Sequence, residues 1–176
     1  GEGPHFCAGI DLDEVLESSD TCFRLLRLLS QLMREVRRVP AITIAPVQGA
    51  AIGGGFGLLC ACDFAIGTPN TKVGYPPIEL GLSPALMTPW LVQKIGPSAA
   101  RAFMLRGGTT TGTEAARLGL LTDLVPEEEL SESTDRLADQ LLSADPTALR
   151  TTKRYLNHFE GSDQDVILDH AADVSA

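Results

Sequence analysis

The chain has 176 residues, 44% of them hydrophobic and 21% charged, with a formal net charge of −9. That length supports one domain with a sizeable core, and the acidic balance argues against nonspecific nucleic-acid binding, which needs a basic surface. No stretch reaches the ~18 uninterrupted apolar residues of a membrane span.

Gly1-Glu2-Gly3-Pro4-His5 reads as a loop, followed at once by Phe6-Cys7-Ala8-Gly9. With no earlier element to bury these residues and no helix stop near Ala176, we expect a fragment lacking flanking structure at both ends. Residues 20–38 show helical periodicity, with Phe23, Leu26, Leu29, Leu32, Met33 and Val36 on one stripe and Pro40 as the stop. Residues 41–47 read as a buried strand interrupted by Pro46. Residues 48–55 read as a glycine-rich turn and 56–62 as a short buried helix. The segments 63–67 and 72–75 read as short strands.

Further on, Ser83-Pro84 signals a helix start, and the helix is expected to run to Ile95. Gly96-Pro97 breaks it and opens the next. Thr111-Gly112-Thr113-Glu114 fits a capping box, with Gly119 as the stop. Residues 120–125 predict a strand, and helices follow near 127–142 and 146–159. On the last, Leu149, Thr152, Leu156 and Phe159 share a face. Strands in the middle and helices at the end predict an α/β protein, or α+β with a helical tail. Four cysteines stand at 7, 22, 60 and 62, and Cys60 and Cys62 form C-x-C without paired histidine spacing. Neither zinc nor a disulfide framework is expected. Four reduced thiols fit a cytoplasm or an organelle matrix.

Two segments are built for chemistry. The small pair Ala8-Gly9 lets a ligand approach the backbone closely. Gly53-Gly54-Gly55 opens a helix, whose unpaired N–H groups and positive dipole end suit an anion or a developing oxyanion. The glycine spacing is not G-x-G-x-x-G, and no P-loop lysine follows, so a nicotinamide enzyme is excluded. Read singly, each segment is equally a tight structural turn.

Together they resemble the crotonase (enoyl-CoA hydratase/isomerase) superfamily. Phe6-Cys7-Ala8-Gly9-Ile10-Asp11-Leu12 resembles its F-x-A-G-x-D-L motif, and residues 47–58 resemble its second motif, with Ala61-Cys62-Asp63 after it. Residues 75–84 are similar to the third, and Ile95-Gly96-Pro97, 115–121 and 148–153 extend the match across nearly the whole chain. The resemblance implies a spiral of ββα turns over residues 1–125 with its opening strands missing, an incomplete helical region over 126–176, and a homotrimer or hexamer. It implies an acyl-CoA thioester as substrate, coenzyme A entering as part of it, and no separate cofactor, metal, nucleic-acid or membrane partner. By motif position the backbone N–H groups of Ala8 and Gly54 form an oxyanion hole for the thioester oxygen, and Ala8, Gly9, Ile10 and Asp11 line the coenzyme A path.

The resemblance also exposes a departure. The two glutamates that place water and move protons in hydratases fall on Gly57 and Pro77, neither of which transfers a proton. An isomerase-type acid near Met87-Thr88 is missing as well. Glu79 is the nearest acid, two residues from Pro77 and about 7 Å further along one strand face; it reads either as a displaced base or as a surface glutamate. Asp11 and Asp63 read as turn residues, and Asp13 stands where relatives carry a lysine near the phosphates. His5 is a possible proton donor or a loop histidine, and Tyr75 a hydrogen-bond donor or a packing residue. The expected function is an enoyl-CoA hydratase/isomerase-like lyase or isomerase with atypical acid/base residues. The alternative is a non-catalytic CoA-thioester-binding pseudoenzyme or scaffold subunit.

Overall fold

Ser18 starts the first helix by accepting a hydrogen bond from the Thr21 amide, and α1 (Ser19–Arg38) follows. The helix stops where Val39, preceding Pro40, turns to an extended ψ of 135°. The computed structural model describes residues 3–11, 18–76 and 82–175. The buried stripe of α1 runs through Cys22, Leu26, Ser30 and Met33. Phe23 and Leu32, expected on it, are 40% and 47% exposed. They lie to either side of the stripe, and Phe23 instead takes the Arg27 guanidinium 4.9 Å above its ring.

The middle of the chain is β1 (Ile44–Val47), β2 (Ala50–Ile52), α2 (Gly54–Ala61), β3 (Phe64–Gly67) and β4 (Lys72–Tyr75). β1 and β3 pair in parallel in one sheet, and β2 and β4 pair in parallel in another. Each circuit of the chain thus adds one strand to each sheet, which is the ββα step of a spiral. Pro46 is tolerated because β1 stands at an end of the order β1-β3-β6 among the described residues. Residues 48–55, expected as one turn, hold β2: Gly49, at φ 59°, makes the bend alone, and the residues after it are free to pair.

A 3₁₀ turn (Ala85–Met87) leads into α3 (Thr88–Ile95), where one continuous helix was expected. Pro89 brings no amide to an α-helical ladder, and the Thr88 amide bonds back to Ala85 instead, tightening the entry. Then come α4 (Pro97–Arg106), β5 (Gly108–Thr111), α5 (Gly112–Leu118) and β6 (Asp123–Leu124). β5 runs antiparallel to β4, and β6 parallel to β3. Thr111 caps α5 by accepting from the Glu114 amide, and Gly119 closes it in the left-handed conformation at φ 86°. The Glu114 carboxylate goes to Arg117 and not back to the cap, so half of the expected capping box forms. The strand expected over 120–125 shrinks to two residues. The amides of Leu120 and Leu121 bond to the Ala115 carbonyl and so finish the helix.

The chain ends in a second 3₁₀ turn (Glu127–Glu129), α6 (Leu130–Leu142), α7 (Pro146–Phe159) and α8 (Asp165–Ser175). On α7 the buried residues lie off the face shared by Leu149, Thr152, Leu156 and Phe159. Lys153 and Asn157 are buried, while Leu156 and Phe159 are 47% and 78% exposed. Polar partners decide the orientation: Asn157 donates to the Arg37 carbonyl at 3.0 Å, and Lys153 reaches Asp63 at 2.7 Å. The core lies between the sheets and α1–α4, around Phe56, Leu59, Trp90 and Leu91. No described helix is long and apolar enough to cross a membrane.

Candidate active site

Two backbone bends meet at the start of α2. The Cys7 amide donates to the Ala50 carbonyl, and the Ile52 amide donates to the Cys7 carbonyl, both at 3.0 Å. This single parallel bridge lays residues 7 and 51 side by side. The chain then turns at Gly9, at φ 108°, a conformation that favours glycine. A Cβ at Gly9 would lie 3.2 Å from the Ile52 carbonyl oxygen and 3.6 Å from the Gly54 nitrogen. At the opposing bend Gly53 takes φ 56° and its amide donates to the Gly74 carbonyl. A Cβ at Gly55 would collide with Cys7, so the glycine there lets the bends touch.

The Ala8 and Gly54 amides donate to no acceptor among the described residues. Gly54 is the first residue of α2, where helix geometry leaves amides unpaired and the dipole is positive. Ala8 is exposed, Gly9 and Ile10 are half-buried, Asp11 is exposed, and Gly54 and Gly57 are buried. Pro77, Glu79 and Asp13 lie outside the described residues.

Around these amides the walls are apolar. A Cβ at Gly54 would sit 3.3 Å from Leu29 Cδ2 and 3.5 Å from Ile10 Cγ1. One at Gly57 would lie 2.6 Å from Met33 Sδ and 3.1 Å from Met87 Cγ. Leu29, Met33 and Met87 were not singled out as site residues from the sequence. The signal was present in α1, where Leu29 and Met33 stand four apart, facing two glycines three apart on α2.

His5 is exposed and packs its ring against Gly49. His158 is exposed with Nδ1 2.8 Å from Asp163, and His170 is exposed. Tyr75 is buried and donates to the Ser83 carbonyl at 3.4 Å, and burial pushes its phenol up to about 12. Asp63 accepts from the Thr43 amide and hydroxyl and from Lys153, tying a turn together. All four cysteines are free thiols; Cys22, Cys60 and Cys62 are buried and Cys7 half-buried.

The sequence model of the enoyl-CoA hydratase/isomerase family matches residues 1–170. The chain belongs to the enoyl-CoA hydratase/isomerase family. It is 35% identical over 154 residues to the enoyl-CoA isomerase/hydratase fer4 of Mycosarcoma maydis, covering 86% of this chain and 56% of that protein. To the crotonyl-CoA hydratase of Syntrophomonas wolfei subsp. wolfei it is 32% identical over 173 residues, covering 97% of this chain and 65% of the relative. The crystal structure of an enoyl-CoA hydratase/isomerase from Marinobacter aquaeolei superposes with a TM-score of 0.83 at 31% identity, over 100% of this chain and 72% of that one. This member of the family thus has the crotonase fold and spans 56% and 65% of the length of the two relatives.

Proposed function

We propose that the protein binds an acyl-CoA thioester with its carbonyl oxygen between the Ala8 and Gly54 amides and stabilises the enolate that forms there. The reading is supported by one observation: two amides without a protein acceptor among the described residues stand on bends so close that a Cβ at Gly9 would touch Gly53 and Gly54, and one at Gly55 would collide with Cys7. An enolate places negative charge on oxygen. Preorganised amides answer that charge without consuming a titratable side chain, and losing one such donor costs about 2.7–4 kcal/mol of transition-state stabilisation. Ala8, Gly9, Ile10 and Asp11 line the approach. The reaction is a lyase or isomerase step on the acyl group, in keeping with the names of the relatives, and Glu79 is the acid proposed to move the proton.

A second reading has its own support. Residue 57 is a buried glycine against two methionines, so no proton carrier stands at that point of α2. A CoA-thioester-binding subunit without turnover fits this as well. Titration calorimetry with acetyl-CoA and crotonyl-CoA, together with loss of the enoyl thioester absorbance, separates the readings. Binding with turnover that is lost in Glu79→Gln supports the enzyme with a displaced base. Binding without turnover supports the subunit. No binding of either thioester sinks both. Gly54→Pro removes one donor at a first-turn position where proline is tolerated. It is expected to lower kcat about 10²–10³-fold.

A further inference from the structure

α2 packs on α1 through a face made of Gly54 and Gly57. Opposite Gly54 stands Leu29, and opposite Gly57 stands Met33, one turn later on α1. Met87, from the 3₁₀ turn, closes the same spot from another side. Met33 and Met87 are 0% and 2% exposed, so residue 57 faces filled space. The nearest atom to a Cβ at 57 is the Met33 sulfur, at 2.6 Å, closer than real Cβ atoms stand to a neighbour.

We propose that Met33 is the residue that determines whether this site can hold a proton carrier on α2. Its thioether occupies the side-chain position of residue 57, and a carboxylate fits there only when Met33 is shortened. This rests on the acyl-CoA reading given above. The glycine at 57 is then more than the loss of an acid: Met33 has taken the acid's place and made the wall apolar. A carboxylate forced against that wall would be both crowded and stripped of water. Methionine is unbranched and adaptable, which suits it to such filling.

The test uses five variants of the protein: Met33→Ala, Gly57→Ala, Gly57→Glu and the doubles Met33→Ala/Gly57→Glu and Met33→Ala/Gly57→Ala. Urea midpoints, crotonyl-CoA binding by calorimetry and hydration by absorbance are measured. In hydration the water oxygen bonds to Cβ, its proton passes to the carboxylate, and the carboxyl proton is delivered to Cα, leaving residue 57 unchanged. Alanine for glycine inside a helix ordinarily stabilises. Here Gly57→Ala is expected to leave the midpoint flat or lower it in the parent, and to raise it once Met33 is alanine. The double Met33→Ala/Gly57→Glu is expected to hydrate crotonyl-CoA at least tenfold faster than Gly57→Glu alone. Equal midpoint shifts for Gly57→Ala in both backgrounds, or equal hydration by Gly57→Glu and the double, would overturn the role of Met33. If no variant and not the parent binds crotonyl-CoA, the acyl-CoA reading falls, and the two Gly57→Ala midpoints still decide whether Met33 fills the position.

Discussion

Gly9 and Gly55 show how much of the site depends on missing Cβ atoms. Gly55 admits the Cys7 carbonyl, and Gly9, at φ 108°, lets the chain bend close against Ile52, Gly53 and Gly54. Gly9→Ala would force a side chain into a strained conformation and press it against the Ile52 carbonyl. The expected cost is about 1–3 kcal/mol of stability. The bend would also open, so acyl-CoA affinity should fall by more than the stability loss explains. Paired urea titrations and calorimetry with acetyl-CoA check this. Unchanged affinity at reduced stability would mean that the bend is structural only.

At the scale of elements, α7 depends on one buried ion pair. Lys153, 5% exposed, donates to the Ala41 carbonyl at 2.8 Å and to Asp63 at 2.7 Å, joining α7 to the segments flanking β1 and β3. Lys153→Met leaves the Asp63 carboxylate without its closest cation, the Arg37 guanidinium being 3.8 Å away. Breaking such a pair typically costs about 3–5 kcal/mol, whereas replacing both charges costs far less. Thermal unfolding of Lys153→Met and of Lys153→Met/Asp63→Asn should therefore show the double variant recovering part of the loss. Equal losses would place the effect in packing. The same pair marks what the sequence made legible. Gly53, Gly119 and Pro97 announce themselves because a turn or helix start needs their backbone. The inward face of α7 does not, since hydrophobic periodicity has no means of knowing that a lysine finds an aspartate 90 residues away. Likewise the proposed donors Ala8 and Gly54 stand in motifs that mark their own positions, while Met33 opposite Gly57 needed the crossing of two helices.

At the scale of the whole molecule, the buried acids make stability fall at alkaline pH. Desolvation pushes the Cys60 thiol up from 9.0 to about 12, raises Cys62, and pushes the Tyr75 phenol up from 10.0 to about 12. As pH climbs past the ordinary values, the unfolded chain releases these protons while the native protein keeps them. The native state then binds more protons, and stability falls by about 1.4 kcal/mol per pH unit for each such group. Lys94 opposes this: burial lowers its value from 10.5, so the native protein deprotonates first and gains stability with pH until the unfolded lysine also titrates. The decline should therefore be shallow up to about pH 10.5 and steepen above it, where the lysine contribution is spent and the thiols and phenol act unopposed. Cys60→Ala and Tyr75→Phe each remove one proton from the balance. In urea titrations across the alkaline range their double variant should start less stable and lose stability more slowly. A decline as steep as the parent's would show that these two groups are not what the alkaline limit of the fold depends on.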